Sequence, residues 1–536
     1  MKKIYRNLKT AVLALGCMSL LLSSCSDFLD KNPHDFVSPE IFYKNESDCM
    51  MALAGVYWTL ATDHVYGERY SNILSNTDDL SYYARLNQSG QVYTNSHNSS
   101  NNDIYQTWTQ LYSGINNANV LLDNIDAANI PDAAVKNRIK GEAKFLRAYY
   151  HFLLVQGWYE VPIRTETVTD INNSSLAATP HAEAIDWIIK EMEDCIDLVD
   201  DSKYDLSPSH VKKTTVQGIL ARVCLWRAGS PSNGGKEFYE KAAKYAKAVY
   251  DSHKHKLYQG DIYAIWKNIA SDKYDTEYNE SMWEVEFIGT RVDGKFTYSR
   301  IGNTIGNWQE NTSSTGKGYA YGFYCGSLIL WDLFEKNPGD LRRDLSMATY
   351  KLDASDAAVY WKDTEIVTRR CGKYRREWTT TSPKEKNNDQ INYPVLRYAD
   401  VLLMLAEAEN EAGKAPTDLA YDAINEVRER AGIDKVENLS YAEFQQEVRD
   451  ERARELCFES LRKYDLIRWG IYYDAAHNKL TEATNDKRWT TSGYYKAAKE
   501  YAANTEERHQ FLPIPMKELG VNLLLKQNSY WSNAAE

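Results

Sequence analysis

Apolar residues three and four apart recur along this chain in stretches long enough for amphipathic helices, and the stretches come in pairs. Residues 141–157 are followed by 182–199, 214–228 by 237–251, and 396–411 by 418–430, while an earlier stretch at 104–125 follows one around 46–60. A single amphipathic helix cannot cover its own apolar stripe, so repeated pairs predict helix layered on helix. The second members carry small residues where two helices approach and a larger one to fill the groove, as in Ala242, Ala246 and Val249, or Ala420, Ile424 and Val427.

That spacing resembles the tetratricopeptide pattern. The fold class expected is therefore mainly α, with about four tetratricopeptide-like helix pairs as scaffold, concentrated in 104–257 and 394–470. Between them, 61–103 and 258–392 are rich in Tyr, Trp, Asn, Ser, Thr and Gly and hold no sustained 3.6 period. These are loops with a few short strands, and long structured loops on a rigid scaffold are where binding sites form. With 39 Tyr and 14 Trp, aromatics reach 12%, more than packing requires. Their flat faces and polar handles suit amphipathic ligands.

The chain opens with Lys2, Lys3, Arg6 and Lys9 and an apolar run from Ala11 to Leu22, which reads as a signal peptide over 1–24. The run is too short for a bilayer core ~30 Å thick. It ends in Leu22-Ser23-Ser24-Cys25, similar to the lipobox of bacterial lipoproteins, so Cys25 is the expected lipidation site and 25–35 the lipidated start and tether. Removing 1–24 takes away four positive charges and no negative ones, moving the formal net charge from −12 to −16 and making nucleic acid an improbable partner. Cys49, Cys195, Cys224, Cys325, Cys371 and Cys457 show no C-x-x-C spacing and read as core residues. Length alone would suggest about three domains, yet no linker divides 36–536, which is expected to form a single body.

Five ordered blocks resemble the SusD/RagB family of outer-membrane nutrient-uptake lipoproteins. They are Cys25 to Pro33; Gly141 to Tyr150 with Val161-Pro162; Leu396 to Ala408 with Ile424 to Gly432; Glu451 to Trp469; and Leu512 to Pro515 with Gln527-Asn528. Tyr159-Glu160 departs from the family's usual Gly-Asp, and Ser529 from its Pro or Gly, which puts local turn shape in question. The resemblance implies a non-catalytic lid on a SusC-like TonB-dependent transporter, anchored in the outer membrane by lipid, exposed at the cell surface, and delivering oligosaccharide to that channel. A peptide-uptake module of the same family is the alternative, and a surface glycoside hydrolase the second. Glu451, Arg452, Glu455, Glu459, Arg462 and Asp465 fall at helical spacings and read as structural ion pairs.

A glycosidase needs two carboxylates flanking the bond, and Glu284 with Glu286 are candidates, although neighbours on one strand face lie side by side instead of opposed. His253 and His255 lack a third metal ligand, and Gly316-Lys317-Gly318 lacks the setting of a dinucleotide loop. No cofactor is expected; a structural calcium in a loop is left open. A sugar site asks instead for aromatic platforms rimmed by amide, carboxylate and guanidinium groups. Two segments hold that mixture, giving Asn76, Asp79, Tyr82, Tyr83 and Arg85 in the first and Trp308, Tyr319 and Tyr321 in the second. Trp308 and Tyr82 are the foremost stacking candidates, since adjacent residues of an extended segment point opposite ways. Asp78 suits a turn cap.

Overall fold

The computed structural model describes residues 42–168, 174–200, 207–287, 297–490 and 493–532. The expected signal peptide, lipidation site Cys25 and tether lie outside the described residues.

All four pairs form helices: α1 (Glu46–Trp58) and α2 (Asn102–Asn124), α3 (Ala133–Trp158) and α4 (His181–Glu193), α5 (Lys213–Ala228) and α6 (Lys236–Asp251), α7 (Tyr398–Gly413) and α8 (Asp418–Arg430), followed by α9 (Tyr441–Leu456) and α10 (Arg462–Arg468). Side-chain caps begin many of them. Asn45 and Asp48 close a capping box on α1, Ser440 and Glu443 on α9, and Asn101, Asp132 and Thr417 accept a backbone N–H at the starts of α2, α3 and α8.

Each helix packs on the next from α1 to α6; α6 then meets α7, which carries α8 and α9. Residues 252–397 are thus an excursion from a continuous helical stack. Glycine permits two of the closest approaches: a Cβ on Gly114 would lie 2.7 Å from the Thr59 side chain and 2.8 Å from the Tyr150 ring, and one on Gly218 2.6 Å from Leu396. The helix expected from residue 396 begins at Tyr398, because Tyr393–Arg397 is a strand, β6, paired antiparallel with β2 (Ser281–Val285). Two smaller antiparallel pairs are β1 (Ser81–Tyr83) with β3 (Tyr324–Gly326) and β4 (Tyr350–Leu352) with β5 (Ala358–Tyr360). Tyr159, which follows α3 where the family has glycine, keeps a glycine-like backbone at φ +74, with its ring stacked 4.5 Å from His181.

The excursion is fastened to the stack by buried ion pairs. Arg397, where β6 turns into α7, reaches Glu280 and Glu455 at 3.0 Å each and Glu459 at 2.8 Å. Glu455 on α9 also takes Arg430 at the end of α8 at 2.6 Å and Arg342 of the excursion at 3.1 Å. Burial alone would raise the Glu455 carboxyl, but Arg430, Arg397 and Arg342 overcome it and hold the group well below the usual carboxylate range. The same contest takes Glu451, beside Arg342 and Arg454, and Asp400, beside Arg452 and Arg222, down to about 2. The family block from Glu451 to Trp469 is therefore structural.

Removing one partner from such a cluster strands buried charge, so Glu455→Ala should lower unfolding free energy by about 3–5 kcal/mol in urea titrations. Because the folded-state values of Glu451 and Asp400 lie below their unfolded ones near 4, the stabilisation they bring is full above that range and is lost as pH falls through about 2. A melting temperature that stays flat from pH 5 to pH 2 would contradict this assignment.

Candidate functional site

The β1–β3 ladder brings the two aromatic segments together, pairing Ser81 with Gly326, Tyr82 with Cys325 and Tyr83 with Tyr324. Strand alternation then sorts the tyrosines. Tyr82 turns inward, is 2% exposed, packs on Trp489 and donates its hydroxyl to the Val367 carbonyl at 2.6 Å. Tyr83 turns outward, with its ring 3.9 Å from Tyr93 and 4.9 Å from Phe323.

From Phe323 the row continues to Tyr321 at 4.8 Å, nearly parallel, and to Tyr319 at 4.8 Å, edge-on. The contacts between neighbouring rings join five of them, from Tyr93 through Tyr83, Phe323 and Tyr321 to Tyr319, into one ladder. All but Tyr93 are half-buried. Between them Gly322 holds φ +54, and a Cβ there would come within 3.0 Å of the Gly306 carbonyl.

Charged and amide groups line the row. The Arg85 guanidinium lies 5.2 Å from the Phe323 centroid, and the Lys386 ammonium 4.9 Å from that of Tyr319. The Tyr321 hydroxyl donates to Asn387 at 3.4 Å. Near the Tyr93 end, Glu68 pairs with Arg300 at 2.9 Å and Arg69 at 3.3 Å, and Arg69 also reaches Asp103 at 3.5 Å. Burial, then the neighbouring Tyr93 hydroxyl, push the Tyr83 phenol well above its ordinary range, so it stays a neutral donor and acceptor.

Several residues proposed for ligand contact are instead internal. Asp79 is 3% exposed and grips Arg462 with both oxygens at 2.8 and 2.9 Å. Asn76 is 4% exposed and donates to the Ser71 carbonyl at 3.0 Å. These two and Tyr82 lie beneath the ladder, since all three are buried and Asp79 and Tyr82 spend their polar atoms within the fold. Asp78 caps its turn, accepting from the amides of Leu80 and Ser81. The Trp308 backbone lies against Gly322, but its ring neighbours Trp361 at 6.1 Å, with Lys351 and Arg370 at 4.2 and 5.2 Å over it. Phe323 falls within the second aromatic segment, whereas Tyr93, Arg300 and Lys386 are not among the sequence candidates; Tyr93 lies in the first aromatic loop, but only tertiary structure sets its ring on Tyr83.

The two strand carboxylates lie elsewhere. Glu284 is buried and accepts from Asn392 at 3.1 Å, and burial pushes it up to about 7. Glu286 accepts from Ser207 and Tyr274. His255 spends both ring nitrogens on the Asn279 carbonyl and Thr214. Among the described residues no group of three or more His, Cys, Asp and Glu is arranged to hold a metal.

A model of the SusD family matches residues 353–531, and a second, described as starch-binding and associating with outer membrane, matches 27–225. The chain belongs to the SusD family. The blocks Glu451–Trp469 and Leu512–Pro515 lie within the first match, and Gly141–Tyr150 within the second. A SusD-like protein of Formosa agariphila is 27% identical over 95% of this chain and 96% of its own. A solved SusD homolog from Bacteroides thetaiotaomicron superposes with a TM-score of 0.82 at 28% identity, covering 91% of this chain and 98% of that one. A structure described as a laminarin binding SusD-like protein shares the fold, with a TM-score of 0.68 at 22% identity over 91% of this chain and all of its own.

Tyr82 and Tyr321 should separate by stability: Tyr82→Ala costs about 3–5 kcal/mol in chemical unfolding, as for other large buried aromatics, whereas Tyr321→Ala costs under about 1 kcal/mol. Glu284 should leave a mark on pH dependence. Its folded value is raised above the unfolded one near 4.3, so its contribution is fully present below that value and is lost as pH rises through about 7. Glu284→Gln should flatten that part of the melting-temperature profile, and an unchanged slope would place the titration elsewhere.

Proposed function

We propose that this SusD-family protein holds oligosaccharides on the aromatic ladder by contact alone and hands them to a SusC-like TonB-dependent transporter. The observation that carries the reading is the row of rings, flanked by Arg85, Arg300, Lys386 and Asn387 and built on a scaffold fixed by buried ion pairs. Sugars present C–H faces and hydroxyl edges, and this surface offers rings with amide and guanidinium donors beside them. Its rim is rich in donors, and among the described residues the carboxylates beside it, Glu68 and Asp103, are paired with arginines, which suits capture better than hydrolysis. Among relatives, one is described as laminarin-binding.

Location follows the same logic. One matching family model is described as associating with outer membrane, and Cys25 after Leu22-Ser23-Ser24 supplies the lipid attachment. Residues 26–35 then serve as a tether that lets a stiff body swing over the channel.

Each neutral hydrogen bond exchanged with water nets only ~1 kcal/mol, so binding should be micromolar or weaker. Isothermal titration of the chain beginning after Cys25 against a glycan panel, laminarin oligosaccharides included, should find such a ligand, and Tyr83→Ala with Tyr321→Ala should weaken it by about tenfold or more. Binding to peptides and to no glycan would replace this reading with peptide uptake; hydrolysis products lost in Glu284→Gln would replace it with an enzyme. Cys25→Ala should abolish labelling by a fatty-acid probe.

A further inference from the structure

Helix α2 has an unusual outer face. Only Asp103 and Asp123 among its 23 residues are charged, one near each end, in a chain that is 26% charged. Its buried side, including Ile104, Trp108, Leu111, Ile115 and Leu121, packs against α1 and α3. The stripe flanking it, Tyr105, Thr109, Tyr112, Ser113, Asn116 and Asn117, repeats at three and four residues, is half-buried to exposed, and carries only rings, hydroxyls and amides. An ordinary solvated helix here looks like α6, which bears Lys236, Glu237, Glu240, Lys241, Lys244 and Lys247 with several pairs at i,i+4.

This stripe is one wall of a groove of 920 Å³. The stretch after α3 supplies a second wall, with Arg164 and Glu166, and the C-terminal segment a third, with Lys517, Glu518 and Asn522. Among the described lining residues the two cations, Arg164 and Lys517, are matched in number by two carboxylates, Glu166 and Glu518. The groove is also held open by its own bonds. Asn119, fixed by Arg147 at 2.8 Å, donates to the Glu166 carbonyl at 3.0 Å, and the Tyr112 hydroxyl donates to the Pro162 carbonyl at 2.8 Å. Asn522 exchanges two hydrogen bonds with the Leu176 backbone at 2.9 and 3.0 Å. A preformed cleft at the upper end of the ~300–1,000 Å³ range for small-ligand sites, with tyrosines and uncharged amides along one wall and charges of both signs on the other two, fits a ligand of several sugar rings with no net charge.

We propose that this groove is a second site for neutral oligosaccharides, sharing no residue with the ladder. The proposal rests on the glycan-binding reading above, and the experiment separates the two. The full mature chain and its Tyr83→Ala/Tyr321→Ala variant are titrated with laminarihexaose, maltohexaose, xylohexaose, mannohexaose and an oligogalacturonate. The ladder variant should keep binding at least one neutral hexasaccharide and not the uronate. Adding Ser113→Lys and Asn117→Lys, two exposed positions that bear no packing, should weaken that remaining binding about tenfold or more.

A wild-type chain that binds sugar beside a ladder variant that binds none overturns the groove and leaves the ladder standing. A wild-type chain that binds none of the panel overturns both. Residual binding that ignores the two lysines overturns the groove, as does a result in which they abolish co-purification of the transporter while sugar binding is unchanged, which would make this face a protein interface.

Discussion

Arg397 stands where the helical stack and the long excursion meet, and most of the architecture depends on what surrounds it. Its guanidinium touches Glu280 ahead of β2 and Glu455 and Glu459 at the end of α9, while Lys373 from the excursion reaches Glu459 at 2.7 Å. Taking these charges out of water costs more than a simple count of ion pairs suggests, so the cluster is not a source of large net stability. What it contributes is registration. A carboxylate such as Glu455, which must meet guanidiniums from β6, α8 and the excursion, is satisfied in one arrangement of those elements, and any slip leaves a buried charge unpaired.

The same device extends to the loops that carry the aromatic ladder. Arg462 at the start of α10 holds Asp79, and Asp78 beside it caps the turn into β1, so the strand that presents Tyr83 is anchored to the stack immediately below it. Rings held this way lose little freedom when a ligand arrives, which removes part of the entropic cost of binding. Stiffness in the scaffold thus becomes preorganisation in the site.

The helices were legible because a 3.6 period over many residues is a long, redundant signal, and the ion-pair role of Glu455 and Arg462 was legible from spacing and burial chemistry. The ladder was half legible. Composition marked both aromatic segments, but a strand of three residues carries no phase information, so nothing local said that Tyr82 turns inward and Tyr83 outward. Asp79 resembled a hydroxyl-binding carboxylate because its partner Arg462 lies 383 positions away. Leu396 and Arg397 continued the helical pattern of α7 yet became strand, since β2 offered backbone partners that periodicity does not see.

The packing of the rings on one another also shapes how a ligand is held. Tyr321 and Phe323 lie within 11° of parallel at 4.8 Å, and Tyr83 and Tyr93 within 22° at 3.9 Å, so many faces are spent inside the row and fewer remain for an added ring. A sugar chain laid along such a row gains many small contacts and few full stacks. At micromolar affinity and an ordinary association rate of ~10⁶ M⁻¹s⁻¹, it leaves within about a second. On the function proposed above, cargo handed to a channel would be better served by that brief hold than by deep pockets, and an open ladder on a rigid stack would provide it.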